Sequence, residues 1–296
     1  MSLQPQFFAY LALASVCFFW GTTYLAIRMS LESFPPLALI AARFLISGTL
    51  MTVGAIWMRI PMPRGRELWL TAFNGVLILG LGNGCLTWAE TLVPSGLAAL
   101  FLTTSPFWLV GLEAAFGGDR LHAPTLFGLF IGLCGAALLF SPTGHAVDAN
   151  TWKGFLILQL GCFCWNAGSL LQRRYKTQTN PIISGAVQQL AAGLAFLLPA
   201  LLAPEHPIVW TTRGLSALLY LVMFGSIVGY SSYIYALEKL PVAVVSIYNY
   251  INPVVAMILG WMIYREPLGA REWLAMAVIF AGVAIVKKFG QAAKKA

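Results

Sequence analysis

Ten apolar runs follow one another down the chain, separated by short polar connections, at about 7–27, 37–58, 68–90, 94–116, 123–140, 152–172, 181–202, 214–236, 241–263 and 270–287. A helix rising 1.5 Å per residue needs roughly 18 to 24 residues to cross about 30 Å of hydrocarbon, and each run supplies about that many. Hydrocarbon offers no partner to backbone N–H and C=O groups, so a crossing chain must satisfy them within its own helices. The expected fold is therefore an all-α polytopic membrane protein with the lipid bilayer as its solvent. Composition agrees: of 296 residues 59% are hydrophobic and 9% charged, with a mean hydropathy of +0.79. Soluble chains carry about 25% charged residues.

The formal charge of +8 does not mark a nucleic-acid binder, because the basic residues sit between apolar runs and in the C-terminal "KKFGQAAKKA". With the N-terminus inside, twelve of the eighteen Lys and Arg residues fall on cytoplasmic segments and five on the opposite side, while Arg43 lies within a span. The positive-inside rule then places both termini in the cytoplasm, as in a bacterial-type inner membrane. The opening "MSLQPQFFAY" lacks the basic region of a cleavable signal, so the first run is expected to stay as a span. Cys17, Cys85, Cys134, Cys162 and Cys164 lie in apolar runs with no CxxC spacing, and the three histidines are scattered. No metal and no cofactor is expected.

The chain also repeats itself. "CFFWGTTYLAIR" from Cys17 is echoed 145 residues later by "CFCWNAGSLLQR", and Pro36, Leu45 and Gly48 return as Pro181, Leu190 and Gly193. Farther on the offset is 147: Pro94, Pro106, Leu121 and Gly135 match Pro241, Pro253, Leu268 and Gly282. Residues 1–146 and 147–296 thus form two repeats of five spans each. An odd number inverts the second repeat in the membrane, an arrangement that recurs in secondary transporters with the substrate site near midplane.

Two of the matched prolines, Pro106 and Pro253, interrupt spans 4 and 9 about 18 Å from their starts. Each removes a helix hydrogen bond beside polar residues: Thr103, Thr104 and Ser105 in one case, Asn249 and Asn252 in the other. Polar, irregular backbone at that depth either lines a wet cavity or hydrogen-bonds a neighbouring helix, and the sequence leaves both open.

"WGTTY" in the first span, "AARFLISG" in the second, Ser105-Pro106, and above all "LPVAVVSIYNYINPVVAMILGWMIYREPLGAREWLAMAVIFAGVAIV" resemble the EamA repeat of the drug/metabolite transporter superfamily. The resemblance covers nearly the whole chain. It implies ten transmembrane helices as two inverted five-helix EamA repeats around a central cavity lined by spans 1, 3, 4, 6, 8 and 9, with spans 5 and 10 as scaffold. It further implies secondary export, and relatives of this kind include exporters of aromatic and neutral amino acids. The family's acidic residue after the fourth span of each repeat matches Asp119 and Glu266, which are expected to end helices and not to bind substrate.

Candidate substrate contacts follow from polar and aromatic residues along those spans: Trp20, Tyr24, Asn83, Ser105, Trp108, Trp165, Asn166, Tyr230, Tyr248, Asn249 and Asn252. Trp20 and Trp165 are repeat-mates, and together they suit the walls of an apolar pocket. Trp88, near a span end, suits the interfacial belt. Gly82 and its mate Gly229, with Pro106 and Pro253, are candidate bending points for gates built from spans 3–4 and 8–9. Gly128 and Gly132 form a GxxxG that fits packing within the chain or between subunits, and a monomer suffices for this architecture.

Arg43 is the one basic residue deep in a span. It either receives a substrate carboxylate or serves as an anchor, snorkelling outward or pairing with Glu32 or Glu90. No carboxylate falls at midplane; Glu90 closes the third span and Glu113 lies near the inner end of the fourth. Facilitated export of a small-molecule substrate, or weak proton coupling, is therefore expected. The resemblance also implies that cationic-drug antiport is disfavoured, since the superfamily's small multidrug exporters use a glutamate in the first span and this span has no acid. No HExxH, GxSxG or paired acids supports an enzyme, and no repeated charged ring supports a channel.

Overall fold

The computed structural model describes residues 4–116, 123–138, 149–175, 179–202, 206–240, 242–245, 248–266 and 268–292. Asp119, Leu121 and Pro241 lie outside the described residues. All regular elements are helical. The first half comprises α1 (Gln4–Leu31), α2 (Pro36–Trp57), α3 (Gly65–Gly75) running through a π-helical segment Val76–Gly82 into α4 (Asn83–Ala89), then α5 (Ser95–Leu102), α6 (Ser105–Ala115) and α7 (Ala123–Leu138). The second half follows the same order: α8 (Ala149–Arg174), α9 (Pro181–Leu202), α10 (Thr212–Tyr220) running through a π segment Leu221–Val228 into α11 (Gly229–Lys239), then α12 (Val242–Val245), α13 (Tyr248–Tyr264) and α14 (Ala270–Ala292).

Among the described residues, seven helical stretches are long and apolar enough to cross a membrane: 6–31, 36–57, 65–89, 95–115, 149–172, 181–202 and 212–236. The other three predicted spans fall on α7, on α12–α13 and on α14. Large apolar side chains point away from the protein, with Val53, Leu198 and Leu201 more than half exposed. Such faces would be costly in water and are at home against lipid. Trp57, Trp69 and Trp210 are still more exposed, each at or near a helix end, where membrane–water interfaces favour tryptophan.

Local chemistry explains the breaks. Pro36 and Pro181, each the first residue of its helix, start α2 and α9 where a missing N–H costs nothing. Pro106 cannot donate into the preceding turn, so the helix stops at Leu102 and restarts at Ser105. Thr103 and Thr104 return their hydroxyls to Leu100 O (2.6 Å) and Phe101 O (2.7 Å), which keeps those carbonyls bonded across the break. The two π segments occupy matching places, Val76–Gly82 being the 147-residue counterpart of Met223–Gly229 within a residue or two of the second segment's limits.

Packing exchanges partners between the halves. Helix α1 packs on α10, α11 and α13, whereas its repeat-mate α8 packs on α3, α4, α5 and α6. Mates also pack on each other, α2 on α9 and α7 on α14, and spans 4 and 9 meet through α5 and α13. The α2–α9 contact is reciprocal in its side chains. A Cβ at Gly48 would stand 2.7 Å from Leu190 N, and one at Gly193 would stand 2.7 Å from Leu45 N. Gly135 and Gly282 likewise face Ile279 and Gly132 across the α7–α14 contact, so the GxxxG glycines are used inside the chain.

Candidate functional site

The partner exchange turns α1 and α8 toward the centre from opposite sides, where Trp20 and Trp165 meet. Their rings meet edge to face, centroids 6.1 Å apart and planes at 90°. Glycine makes this approach possible twice over. Gly82 underlies Trp165 (3.3 Å from a Cβ position to Cε3), and its mate Gly229 underlies Trp20 (2.5 Å to Nε1). Trp20 Nε1 donates to Gly225 O at 3.0 Å, a carbonyl inside the second π segment, where the regular helix ladder is interrupted. Tyr233 and Tyr248 pack on Trp20 with centroids 5.1 and 5.2 Å away, completing an aromatic box.

Around the box lies a cavity of about 120 Å³. It is close to the roughly 150 Å³ cavity that takes up a benzene ring. Of the sequence-predicted contacts, Trp20, Tyr24, Asn83, Ser105, Trp165, Tyr230, Tyr248, Asn249 and Asn252 line it, as do Gly82 and Pro253. The others do not. Trp108 lies outside, its Nε1 donating to Gln159 Oε1 at 2.8 Å and its ring against Phe163. Pro106 is absent from the wall, and Gly229 serves it only from behind Trp20.

Asn166 also lies outside the wall and bonds the break at Ser105-Pro106 instead. Its Nδ2 donates to Ser105 Oγ (2.7 Å), Ser105 O (3.1 Å) and Cys162 O (2.7 Å). On the other side Asn252, its amide turned to face two carbonyls, donates to Tyr248 O (3.1 Å) and Cys17 O (3.0 Å). The repeat-mate of Asn252 is Ser105, too short for that reach, and the mate of Asn166 is Gly21, whose bare backbone makes room for Val255. One amide thus ties the proline segment of each half to a core helix, from opposite sides. Only Pro106 interrupts its span; α13 runs from Tyr248 through Pro253 to Tyr264, so the interruption expected at Pro253 is not there. Both proline segments line the cavity and bond their neighbours, so the two alternatives left by the sequence hold together.

Arg43 reaches the cavity although span 2 is not among the lining spans that the resemblance implied. It is 6% exposed and lines the cavity, with Nε donating to Ser226 Oγ at 2.9 Å and its guanidinium 5.0 Å over the Phe44 ring. Among the described residues it makes no ion pair with Glu32 or Glu90, and its two terminal amino groups have no protein acceptor. Its repeat-mate is Gln188, which accepts the Tyr230 hydroxyl. Beside it Gln189 lines the cavity, accepting from Ser47 and donating to Met51 Sδ at 2.9 Å. Sequence reading passed over these glutamines and Gln159, although an amide inside an apolar run is itself a signal. Phe44 and Gln189 also add spans 2 and 7 to the six that the resemblance implied.

Glu266 behaves as a helix end. Arg265 closes α13 in the left-handed region (φ 54), turning Glu266 back onto the start of α5. There its carboxylate accepts from Ser95 N (2.9 Å), Ser95 Oγ (2.8 Å) and Gly96 N (3.0 Å), satisfying N–H groups that the helix leaves open. A second cavity, about 470 Å³, opens at the end of the bundle that carries the α1–α2 turn; Arg28, Glu32, Trp88, Glu90 and His206 line it. At that end Arg213 pairs with Glu32 (3.5 Å), and Tyr264 bonds both.

Comparison with known proteins bears on this arrangement. The EamA-like transporter family matches twice, over residues 7–141 and 152–287. The uncharacterized inner membrane transporter YedA of Escherichia coli is 35% identical over 96% of this chain and 91% of its own length. A probable terminal-alkyne amino-acid exporter of Streptantibioticus cattleyicolor is 26% identical over 91% of this chain and 90% of its own. A protein of known crystal structure, 21% identical, superposes with a TM-score of 0.68 over 96% of this chain and 97% of its own, a likeness of fold. The two matched segments are the two sets of helices that exchange partners about the tryptophan pair, and the chain belongs to the EamA-like transporter family.

Proposed function

We propose that the protein is a secondary transporter that exports small amphipathic metabolites, foremost neutral and aromatic amino acids, by alternating access through the central cavity. Residues 1–146 and 147–296 act as two inverted repeats of five spans, with both termini on the cytoplasmic side of the inner membrane. The exchange of helix partners between mates supports the inverted reading. The observation that carries the substrate class is Arg43, which lines a cavity otherwise free of charge and whose amino groups have no hydrogen-bond acceptor among the described residues. A guanidinium edge of that kind takes a carboxylate in two parallel hydrogen bonds, while the aromatic box takes an apolar side chain. Relatives named as an inner membrane transporter and a probable amino-acid exporter point the same way.

The test is uptake of labelled phenylalanine into proteoliposomes, with and without unlabelled amino acid inside. Saturable, trans-stimulated flux is expected, falling about tenfold or more with Arg43→Gln, since loss of one charge-assisted contact costs about 1.5–3 kcal/mol. Phenylalaninamide, which lacks the carboxylate, should not distinguish the variant from wild type. Flux without trans-stimulation would indicate a pore, and no flux for any neutral amino acid would shift the substrate to other metabolites or drugs.

The same scheme makes spans 3–4 and 8–9 the gates, hinged at the π segments and at Gly82, Pro106, Gly229 and Pro253. Cysteine pairs that lock either span pair to its neighbour should stop counterflow, and reduction should restore it. Unchanged flux in both locked proteins would reject these helices as gates.

A further inference from the structure

We propose that Glu90 is a proton-binding site of this transporter, occupied in a shut state in which the helix ends at the floor of the vestibule bury its carboxyl. Glu90 caps α4 and is 1% exposed, yet among the described residues neither carboxyl oxygen has a hydrogen-bond partner. Arg28 spends its Nη1 on the backbone carbonyls of Glu90 (2.8 Å) and Val93 (3.3 Å), and among the described residues no cationic nitrogen pairs with the carboxyl. The groups that face it are Tyr24 and Arg28 from α1, Arg43 from α2, and Glu266 from the turn before α14, with Glu32 and His206 on the vestibule wall. An ionised carboxylate held there would forgo water without receiving a single donor, which costs several kcal/mol. A proton removes that cost.

A structural duty does not account for the acid. The carboxyl holds nothing in place, and the repeat-mate of Glu90 is Leu237, so the fold does not demand an acid at this point. What singles out Glu90 is its position on the wall of the vestibule, behind which Tyr24 and Arg43 begin the central cavity. Opening this end admits water to the carboxyl. It then becomes an ordinary exposed glutamate and gives up its proton at neutral pH. The shut state is thus favoured by acid on the vestibule side, and each opening releases a proton there. This goes beyond the facilitated export expected from the sequence, and it does not depend on which substrate is carried.

The test needs no substrate. Infrared spectra of the protein in lipid at about pH 7 should contain the carbonyl band of a buried protonated carboxylic acid, lost in Glu90→Gln. The shut state binds the proton more tightly than the unfolded chain does. Its thermal midpoint should therefore fall, relative to that of Glu90→Gln, by several degrees as pH rises from about 5 to about 8. Glu90→Leu, which copies the repeat-mate, provides the same comparison should the glutamine variant fold poorly. Absence of the band from wild type, its persistence in the variants, or parallel pH profiles would overturn the assignment. None of those outcomes bears on the amino-acid reading, which the flux assay tests separately.

Discussion

Alanine at Trp20 or at Trp165 should lower counterflow by about one to two orders of magnitude, and by similar factors, although the two residues belong to different repeats. Each ring forms one side of the same aromatic box, and each packs on the other. Removing such a face withdraws about 1.5–3 kcal/mol of apolar contact from a bound substrate, which is roughly ten- to a hundredfold. Trp108→Ala is the control. Its ring lies outside the cavity and its indole bonds Gln159, so it should lower thermal stability more than substrate affinity. Trp20→Phe adds a finer distinction, since it keeps an aromatic face but gives up the bond to Gly225 O. If Trp108→Ala lowered affinity as far as Trp165→Ala did, substrate would have to bind elsewhere than between the tryptophans.

Gly48→Ala and Gly193→Ala should each lower the thermal midpoint by about 5 °C, and the double variant by clearly less than the sum. In both cases the added carbon would meet a backbone nitrogen of the facing helix, which no rotamer change relieves. Overpacking of this kind costs about 1–3 kcal/mol. Both clashes lie on one helix pair, α2 on α9, and are related by the repeat. Moving the helices apart for the first methyl makes room for the second, so the two costs overlap. Strict additivity would mean that the two contacts are independent, and unchanged midpoints would mean that the helices do not approach this closely.

Legibility differed among neighbouring residues for physical reasons. Trp20 and Trp165 could be found because a repeat makes each the other's witness, and the glycines beneath them, Gly82 and Gly229, are mates as well. Trp108 looked equivalent in composition and depth, but its helix restarts at Ser105 and turns the ring toward Gln159. Arg43 was legible as an unusual charge and not as a cavity residue. Glu90 sat at a span end, where acids are commonplace, and only the packing of α1 and α2 over it reveals that it is buried. The π segments left no signature beyond scattered glycines, because they differ from an α-helix by small changes in backbone angles.

The apolar runs, the repeat and its punctuation by proline and glycine were readable without coordinates, since hydrophobicity and missing backbone donors act within a few residues of where they occur. From them follow a membrane protein, its helices and their order. The tertiary structure decided which face of each helix turns inward. In lipid that choice cannot be read from polarity, because apolar side chains serve equally against hydrocarbon and against protein, and small residues and buried polar bonds settle the packing instead. Here the choice was made by glycine against tryptophan at the centre, by asparagine amides bonding the proline segments, and by the exchange of helices that brought Arg43 to the cavity and left the Glu90 carboxyl without a hydrogen bond among the described residues.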